Sequence, residues 1–155
     1  MAMIPSLKKF AADEILEKGT LATRTIIYCQ TIKECALVYT TLQCALVYTT
    51  AKILLSEKIY EDLIQQQPKR VSLEILHSSS PANNKEHILE SLQSETGCVR
   101  VLVTIAFGIG VDCKQVHRTV HFGPAKNVEA YIQESERASR DRKQSIAYLL
   151  YQSVQ

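Results

Sequence analysis

Short apolar runs alternate along this chain with longer stretches in which apolar residues recur every three or four positions. Five of the runs have the length and composition of β-strands: RTIIYC (24–29), LEIL (73–76), VRVLV (99–103), RTVHF (118–122) and SIAYLLY (145–151). The first is rich in β-branched and aromatic residues and shows no polar–apolar alternation, which is typical of a strand buried on both faces. The pattern therefore predicts a sheet with a buried interior.

In the first part of the chain, the segments before and after the first predicted strand have apolar residues at helical spacing. Residues 6–18 predict a short helix, with Ser6 as a candidate N-cap and Gly19 as the stop. After the first strand, TIKE (31–34) is a capping box, in which a Thr and a Glu three residues apart satisfy free backbone amides of the first turn. We therefore expect a second helix that begins at Ile32 and runs into the fifties.

Two further helices are predicted in the second half of the chain. NNKE (83–86) offers another capping box before HILESLQ, and Asn127 is the candidate cap of a helix that begins with VEAYIQ. Strands and helices thus alternate, which predicts an α/β fold with a parallel sheet and helices on both faces. We assign residues 1–20 to an N-terminal helix or linker and residues 21–155 to the main domain.

One segment occurs twice. The heptapeptide CALVYTT lies at 35–41 and again at 44–50, nine residues later. Nine residues of α-helix turn through about 900°, or two and a half turns, so the two copies face opposite sides of a helix. They therefore cannot pack the same apolar face into one core. We interpret the repeat as a local duplication, with one copy extending the helix or looped out.

The composition is that of a soluble globular domain, with 46% hydrophobic and 22% charged residues in a chain of 155. The net charge of +2 permits contact with a polyanion, but no basic tract is present, so such a contact must be local. The five cysteines form no C-x-x-C pair, which argues against a zinc site and favours reduced thiols. No signal peptide or membrane span is evident, so we expect an intracellular protein of the nucleus or cytoplasm.

Charged residues cluster near the end of the last predicted helix. Arg137, Arg140 and Arg142 lie within six residues, beside Gln133 and several acidic residues. A solvated helix end explains such a cluster without any function. Alternatively, arginines three positions apart point the same way from a helical turn and can bind one anion. The strand ends favour this second interpretation, because Thr, Ser, His and Gly follow them, and ligands bind at the carboxyl edge of parallel sheets.

Three segments together resemble the second motor lobe of RecQ-type DNA helicases. RTIIYCQT (24–31) is similar to helicase motif IV, TIAFGIGVD (104–112) to motif V and QESERASRD (133–141) to motif VI, in the family's order. LHSSSPANN (76–84) begins a stretch similar to the segment in which a His and small polar residues approach DNA. The resemblance implies a RecA-like lobe of the P-loop NTPase type. It works against a partner lobe, with ATP between the two lobes and single-stranded DNA across both.

The resemblance also implies a nucleotide site. Arg140 matches the second arginine of motif VI and is the candidate arginine finger, with Arg137 as its neighbour on the triphosphate and Gln133 aligning the nucleotide. Such a finger stabilises the charge that develops on the transferred phosphoryl group and is worth about 10³–10⁵ in rate. In motif V, Gly108 and Gly110 would let the backbone approach phosphates. Asp112 would reach a ribose hydroxyl or a motif VI arginine.

DNA contacts follow from the same resemblance. The candidate residues share short polar side chains next to predicted strand ends: Thr31, His77, Ser78 and Thr104. Contacts of this kind bind the phosphate backbone and carry no sequence preference. The implied activity is 3′–5′ unwinding of single-stranded or forked DNA, driven by ATP and without membrane contact.

The chain lacks its own P-loop, since no Gly-Lys dipeptide occurs in it. ATP and Mg²⁺ would therefore be held mainly by an N-terminal helicase lobe absent from this chain, and we expect no metal bound by the chain itself. Motif VI also departs from the family pattern, because Glu136, Ser139 and Arg142 stand where the family has glycine. The Glu136 carboxylate would repel a triphosphate, or pair with Arg137 or Arg140. Three hypotheses remain: a motor lobe, a catalytically inactive lobe that binds nucleic acid or protein, and a folded remnant without function.

Overall fold

A parallel five-stranded sheet organises the fold. The computed structural model describes residues 7, 13–18, 22–57, 72–77, 80–94, 99–105, 115–139 and 142–151. The strands are β1 (Arg24–Cys29), β2 (Ser72–Leu76), β3 (Val99–Ile105), β4 (Val116–Phe122) and β5 (Ile146–Leu150). Their order is β2-β3-β1-β4-β5, with every neighbouring pair parallel. The five predicted strands are confirmed.

The described helices are α1 (Glu14–Lys18), α2 (Ile32–Glu57), α3 (Ala82–Gln93) and α4 (Val128–Ser135), followed by a 3-10 turn (Glu136–Ser139). The predicted cap of α4 is confirmed, because the Asn127 side chain accepts a hydrogen bond from the Ala130 N–H at 2.7 Å. The predicted capping box at 83–86 is wrong. The N-cap of α3 is Pro81, which makes no side-chain cap hydrogen bond. Its ring fixes a φ compatible with a helix start, so the helix begins before Asn83.

Helices cover both faces of the sheet, as predicted. One face carries α2, and its core includes Ile27, Cys35, Val38, Leu42 and Val103. The opposite face carries α3 and the 3-10 turn, and its core includes Ile26, Tyr28, Ile88, Leu92 and Ala138. Strand β1 has buried side chains along its whole length, because it lies at the centre of the sheet between these two layers.

One row of paired residues crosses the sheet near the carboxyl ends of the strands. In sheet order the row is Leu76, Thr104, Tyr28, His121 and Leu149. Residues that pair in register on parallel strands point to the same face of the sheet. Tyr28 and His121 are therefore neighbours on the face that also carries the 3-10 turn. Thr104 belongs to this row, and the candidate residues Thr31 and His77 lie just beyond it.

Helix α2 runs without interruption through both copies of the duplicated heptapeptide. Cys35 is fully buried, whereas its counterpart Cys44 is exposed. Leu37 is 47% exposed, whereas its counterpart Leu46 packs against the core. The prediction that the copies face opposite sides is confirmed, and the duplication lengthens the helix.

The described part of residues 1–20 packs against the main domain. Leu7 and Ile15 belong to the core beneath α2, and Glu14 of α1 forms an ion pair with Arg118 of β4. The division at residue 20 stays a prediction. Within the described residues, none of the helices is both long and apolar enough to cross a membrane.

Candidate functional site at the carboxyl edge of the sheet

The candidate residues that the structure describes lie around one edge of the sheet. His77 follows β2, Thr104 is near the end of β3 and Thr31 follows β1. These three strands are adjacent and parallel, so the three residues line the edge in that order. Gln133 and Arg137 come from the segment after β4, which packs over the row of paired residues near the ends of β1 and β4. The edge thus gathers predicted DNA-binding and nucleotide-binding residues.

Thr31 caps the helix that follows β1. Its hydroxyl oxygen accepts a hydrogen bond from the Glu34 N–H at 3.1 Å, and the Glu34 carboxylate accepts from the Gln30 N–H at 3.2 Å. The capping box is confirmed, with the carboxylate bound one residue further back than predicted. The Thr31 side chain is exposed. Since its oxygen serves as the acceptor in the cap, the hydroxyl proton remains able to donate to a phosphate.

Ser80 fixes the turn that carries His77. The His77 N–H donates to the Ser80 hydroxyl at 3.0 Å, and the His77 carbonyl accepts from the Ser80 N–H at 3.0 Å. This pair of hydrogen bonds closes the turn between β2 and α3 and places the half-buried imidazole beside the edge. The residue predicted here, Ser78, lies outside the described residues, and Ser80 was not among the predicted site residues. The signal for Ser80 was its position just before the proline that begins α3.

Thr104 is fully buried. Its hydroxyl donates to the carbonyl oxygen of Leu76 at 2.8 Å, so in this structure it ties β3 to β2. A contact between Thr104 and DNA stays a prediction, and it would require this hydrogen bond to be exchanged for one to a phosphate.

Gln133 and Arg137 flank the buried stripe of one helical segment. Ala130, Glu134 and Ala138 are buried at intervals of four, so this stripe faces the sheet. Gln133 precedes Glu134, and Arg137 precedes Ala138, which places both side chains on the same border of the stripe. Gln133 is exposed and Arg137 is half-buried. An amide and a guanidinium on one border of a helical segment can contact the same anion.

Gln30 joins the end of β1 to the loop before α4. Its side-chain amide donates to the Pro124 carbonyl at 2.6 Å, across 94 residues of sequence. Gly123, the first residue of that loop, has a φ of +89°, a conformation that L side chains rarely adopt. Gln30 was not among the predicted site residues, because its contact depends on the neighbouring positions of β1 and β4 in the sheet.

A buried polar pair lies beneath the segment that carries Gln133 and Arg137. His121 Nε2 and Glu134 Oε1 are 3.5 Å apart, with His121 fully buried and Glu134 5% exposed. The imidazole lies between two tyrosine rings, stacked on Tyr28 at 4.9 Å and tilted against Tyr131 at 4.8 Å between ring centroids. The Tyr28 hydroxyl is 3.4 Å from the Glu134 carbonyl oxygen, to which it donates.

The surroundings of this pair shift both ionisations. Burial lowers the pKa of His121 to about 4, so the imidazole is neutral at pH 7. Burial raises the pKa of Glu134, and the positive charge of Arg137 opposes that rise. His121 and Glu134 are thirteen positions apart in the sequence, and only the fold brings them together.

Four residues of the predicted nucleotide site lie outside the described residues: Gly108, Gly110, Asp112 and Arg140. Their roles stay predictions. Among the residues that the structure does describe, no group of three or more His, Cys, Asp or Glu side chains is arranged to hold a metal ion. The donors at the described edge are an amide, hydroxyls, an imidazole and a guanidinium. This set fits a phosphate chain better than Mg²⁺, which takes oxygen ligands and usually a carboxylate.

Comparison with known proteins gives a family match over most of the chain. The helicase conserved C-terminal domain matches residues 8–142. The chain is 34% identical over 96 residues to the ATP-dependent DNA helicase RecQ of Pasteurella multocida, which is 62% of this chain and 15% of the relative. It is 29% identical over 144 residues to the ATP-dependent DNA helicase Q-like 2 of Arabidopsis thaliana, which is 92% of this chain and 17% of the relative. The chain therefore spans less than a fifth of these relatives.

Solved structures agree on the fold. The second domain of the DEAD-box helicase Mss116p, bound to an RNA duplex, has a TM-score of 0.63 at 17% identity, over 96% of this chain and 48% of that one. The Mycobacterium smegmatis helicase Lhr, bound to single-stranded DNA and AMP-PNP, has a TM-score of 0.61 at 13% identity, over 94% of this chain and 16% of that one. At these identities the likeness establishes a RecA-like fold alone. The match over residues 8–142 shows that this chain belongs to the helicase conserved C-terminal domain family, and RecQ-type helicases are among its relatives.

Proposed function

We propose that this chain is the second motor lobe of a RecQ-like 3′–5′ DNA helicase. In this proposal it supplies the arginine half of an ATP site whose other half belongs to an N-terminal lobe. The observation that supports the proposal most strongly is the common location of two residue sets. Gln133 and Arg137 border one helical segment that packs over the row of paired residues near the ends of β1 and β4, and Thr31 and His77 follow strands at that same edge.

The proposed nucleotide chemistry depends on positive charge that this lobe presents to a phosphate held by its partner. Arg140 acts as the finger on the γ-phosphoryl group, Arg137 binds the triphosphate beside it and Gln133 orients the nucleotide. Gly108, Gly110 and Asp112 complete the cleft from motif V. Mg²⁺ and the β- and γ-phosphates are held by the P-loop of the partner lobe, because this chain has none.

The proposed DNA track runs along the edge formed by β2, β3 and β1. The hydroxyl proton of Thr31 and the imidazole of His77, together with Ser78 and Thr104, contact the phosphate backbone of a single strand. Neutral donors of this kind bind DNA weakly and without sequence preference. Binding of DNA by this lobe alone is therefore expected to depend only weakly on salt, because neutral donors release few counterions from the phosphates.

Complementation tests this proposal. The chain is mixed with the N-terminal lobe of a RecQ-type helicase, and DNA-stimulated ATP hydrolysis is measured. Arg140→Ala is expected to lower the rate by about 10³-fold or more. Lys143→Ala removes an exposed cation three residues away and serves as the matched control, with an expected change below about twofold. A rate of hydrolysis that Arg140→Ala leaves unchanged would contradict the role of Arg140 as an arginine finger.

A second function, a catalytically inactive lobe that binds nucleic acid or protein, has one specific observation in its favour. Glu136 is exposed and adjacent to Arg137, so its negative charge would weaken the binding of a triphosphate to Arg137. Single-stranded DNA binding that Thr31→Ala weakens, together with no hydrolysis in the complemented mixture, supports this alternative. If the chain neither binds single-stranded DNA nor supports ATP hydrolysis in the mixture, both proposed functions are wrong.

A further inference from the structure

A side chain at the end of β1 holds the loop that precedes α4. The Gln30 amide nitrogen Nε2 donates to the Pro124 carbonyl oxygen at 2.6 Å. At the start of the same loop, the Gly123 N–H donates to the Leu150 carbonyl oxygen of β5 at 2.9 Å. Strands β1 and β5 flank β4 in the sheet, so the loop is bonded to both neighbours of the strand that it leaves. The bond to β5 uses backbone atoms alone, whereas the bond to β1 depends on the side chain of Gln30.

The first turn of α4 follows directly from this loop. Asn127 lies three residues after Pro124, and its side chain accepts a hydrogen bond from the Ala130 N–H at 2.7 Å. The Asn127 carbonyl oxygen accepts from the Tyr131 N–H at 3.1 Å. Because these hydrogen bonds join the loop to the first turn, a displacement of Pro124 is transmitted to the helix that carries Gln133.

The backbone of Gln30 belongs to the capping box of α2. The Gln30 N–H donates to the Glu34 carboxylate at 3.2 Å, and the Glu34 N–H donates to the Thr31 hydroxyl at 3.1 Å. The residue whose side chain reaches Pro124 is therefore bonded, through its backbone, to the glutamate that fixes Thr31. One half-buried residue thus connects the proposed DNA contact with the loop before the proposed nucleotide-binding residues.

We propose that Gln30 is a positioning residue whose hydrogen bond to Pro124 sets the start of α4 relative to the capping box of α2. This bond then links Thr31 on the DNA side to Gln133 and Arg137 on the nucleotide side. The roles of DNA and nucleotide rest on the function proposed above, whereas the link between the two segments does not. A single hydrogen bond between neutral groups is sufficient for a coupling of about three- to tenfold between the two sides.

Hydrogen exchange measured by NMR tests the link in the chain alone, without DNA or nucleotide. Exchange of the Ala130 N–H with water reports opening of the first turn of α4. Gln30→Met keeps the length of the side chain, removes the donor and is expected to accelerate this exchange about three- to tenfold. Gln43→Met makes the same change at an exposed position of α2 and is expected to leave the exchange unchanged. Equal exchange in the two variants overturns the proposal.

Gln30→Arg tests whether the donor itself holds the loop. The arginine Nε and the glutamine Nε2 are both attached to Cδ, so this variant keeps an N–H at the same place along the side chain. Exchange of the Ala130 N–H is expected to return to within about twofold of the rate in the unaltered chain. Exchange as fast as in Gln30→Met would overturn the proposal, because a donor at this position would then not fix the loop.

The functional part is tested in the complemented mixture, in which kcat for ATP is measured with and without a saturating oligothymidine strand. Gln30→Met is expected to lower the ratio of these two kcat values about three- to tenfold, with the DNA-free kcat and the KM for ATP changed less than about twofold. Gln43→Met is expected to leave the ratio unchanged. A loss of folded protein lowers both rates together, so an unaltered ratio in Gln30→Met overturns the coupling.

Failure of the function proposed above gives a different result from failure of this link. If the unaltered mixture shows no hydrolysis that DNA stimulates, the proposed function fails. Exchange of the Ala130 N–H then still decides whether Gln30 holds the start of α4.

Discussion

Arg24 donates from Nη1 to the carbonyl oxygen of Leu92 at 3.2 Å, so a strand residue closes the carboxyl end of α3. The same guanidinium also reaches the carbonyl oxygens of Ser91, Ser94 and Val99. The Leu92 and Ser94 carbonyls lie at a helix end that leaves such groups without intrahelical partners, whereas the Ser91 carbonyl also accepts from the Ser94 N–H at 3.3 Å. One fully buried arginine thus satisfies four acceptors and fixes α3 against the sheet.

We predict that Arg24→Ala lowers the free energy of unfolding by about 3 kcal/mol or more, because it removes the donor of the two buried hydrogen bonds to the Leu92 and Val99 carbonyls. Chemical denaturation measures the loss. Lys33→Ala, which removes an exposed cation from α2, is the control and is expected to change stability by less than about 0.5 kcal/mol. Similar losses in the two variants would show that the four hydrogen bonds contribute nothing specific.

The ion pair between Glu14 and Arg118 predicts a pH dependence. Burial alone would raise the pKa of Glu14, but hydrogen bonds from Arg118 and Thr23 and the charge of Arg118 outweigh it, so the pKa lies below its usual value of 4.5. A lowered carboxyl pKa contributes stability above pH 4.5 that is lost as the pH falls through the folded-state pKa. Glu14→Gln is therefore expected to cost about 1–2 kcal/mol at pH 7 and progressively less below pH 4.5.

The control for this prediction is Glu17→Gln on the same helix, where the carboxylate is exposed. Its stability is expected to follow that of the unaltered chain at every pH. A Glu14→Gln deficit that stays constant down to pH 3 would mean that the ion pair does not account for it.

The two copies of the duplicated heptapeptide supply a matched pair of substitutions. Cys35→Ser places a hydroxyl in the core beneath α2 and is expected to cost about 1–3 kcal/mol, whereas Cys44→Ser at the equivalent exposed position is expected to change stability by less than about 0.5 kcal/mol. Thermal unfolding of both variants measures the difference. Equal losses would contradict the placement of the copies on opposite sides of α2.

Arg142 is a non-glycine residue with a φ of +61°, at a position where the resemblance to motif VI expects glycine. The left-handed region costs an L residue roughly 1–2 kcal/mol. We predict that Arg142→Gly stabilises the chain by about 1 kcal/mol, after the added freedom of glycine in the unfolded state is subtracted. Lys143→Gly, at a neighbouring position without a positive φ, is expected to give no gain. A loss of stability in Arg142→Gly would show that the positive φ at this position does not destabilise the chain.

The strands were predictable because burial leaves a local signal. RTIIYC has the uninterrupted apolar pattern of a central strand, and it forms β1 at the predicted residues. The start of α3 was not predictable in the same way. Asn83 and Glu86 match a capping box, but the helix begins two residues earlier, with Pro81 as its N-cap, so the favourable local pattern is not used.

In the candidate site, too, features set by local sequence were predictable and contacts between distant segments were not. Thr31 was identified because the capping box depends on only four consecutive residues. Its geometry is as expected, except that the Glu34 carboxylate accepts from the Gln30 N–H and not from the Thr31 N–H. The contact between His121 and Glu134 and the hydrogen bond from Gln30 to Pro124 depend on which strands are neighbours. The order of the strands in the sheet cannot be predicted from the periodicity of a single sequence, so these contacts became visible only in the structure.

The central claim is that motif VI of this lobe presents arginines to a phosphate held by another lobe. The most direct measurement compares the affinity of the complemented mixture for ADP with aluminium fluoride, which mimics the transferred phosphoryl group, and for ADP alone. A finger acts on the transition state more than on the ground state, so Arg140→Ala is expected to weaken binding of the mimic by about 10²-fold or more and binding of ADP by less than about threefold. Equal weakening of both ligands, or of neither, would contradict the claim.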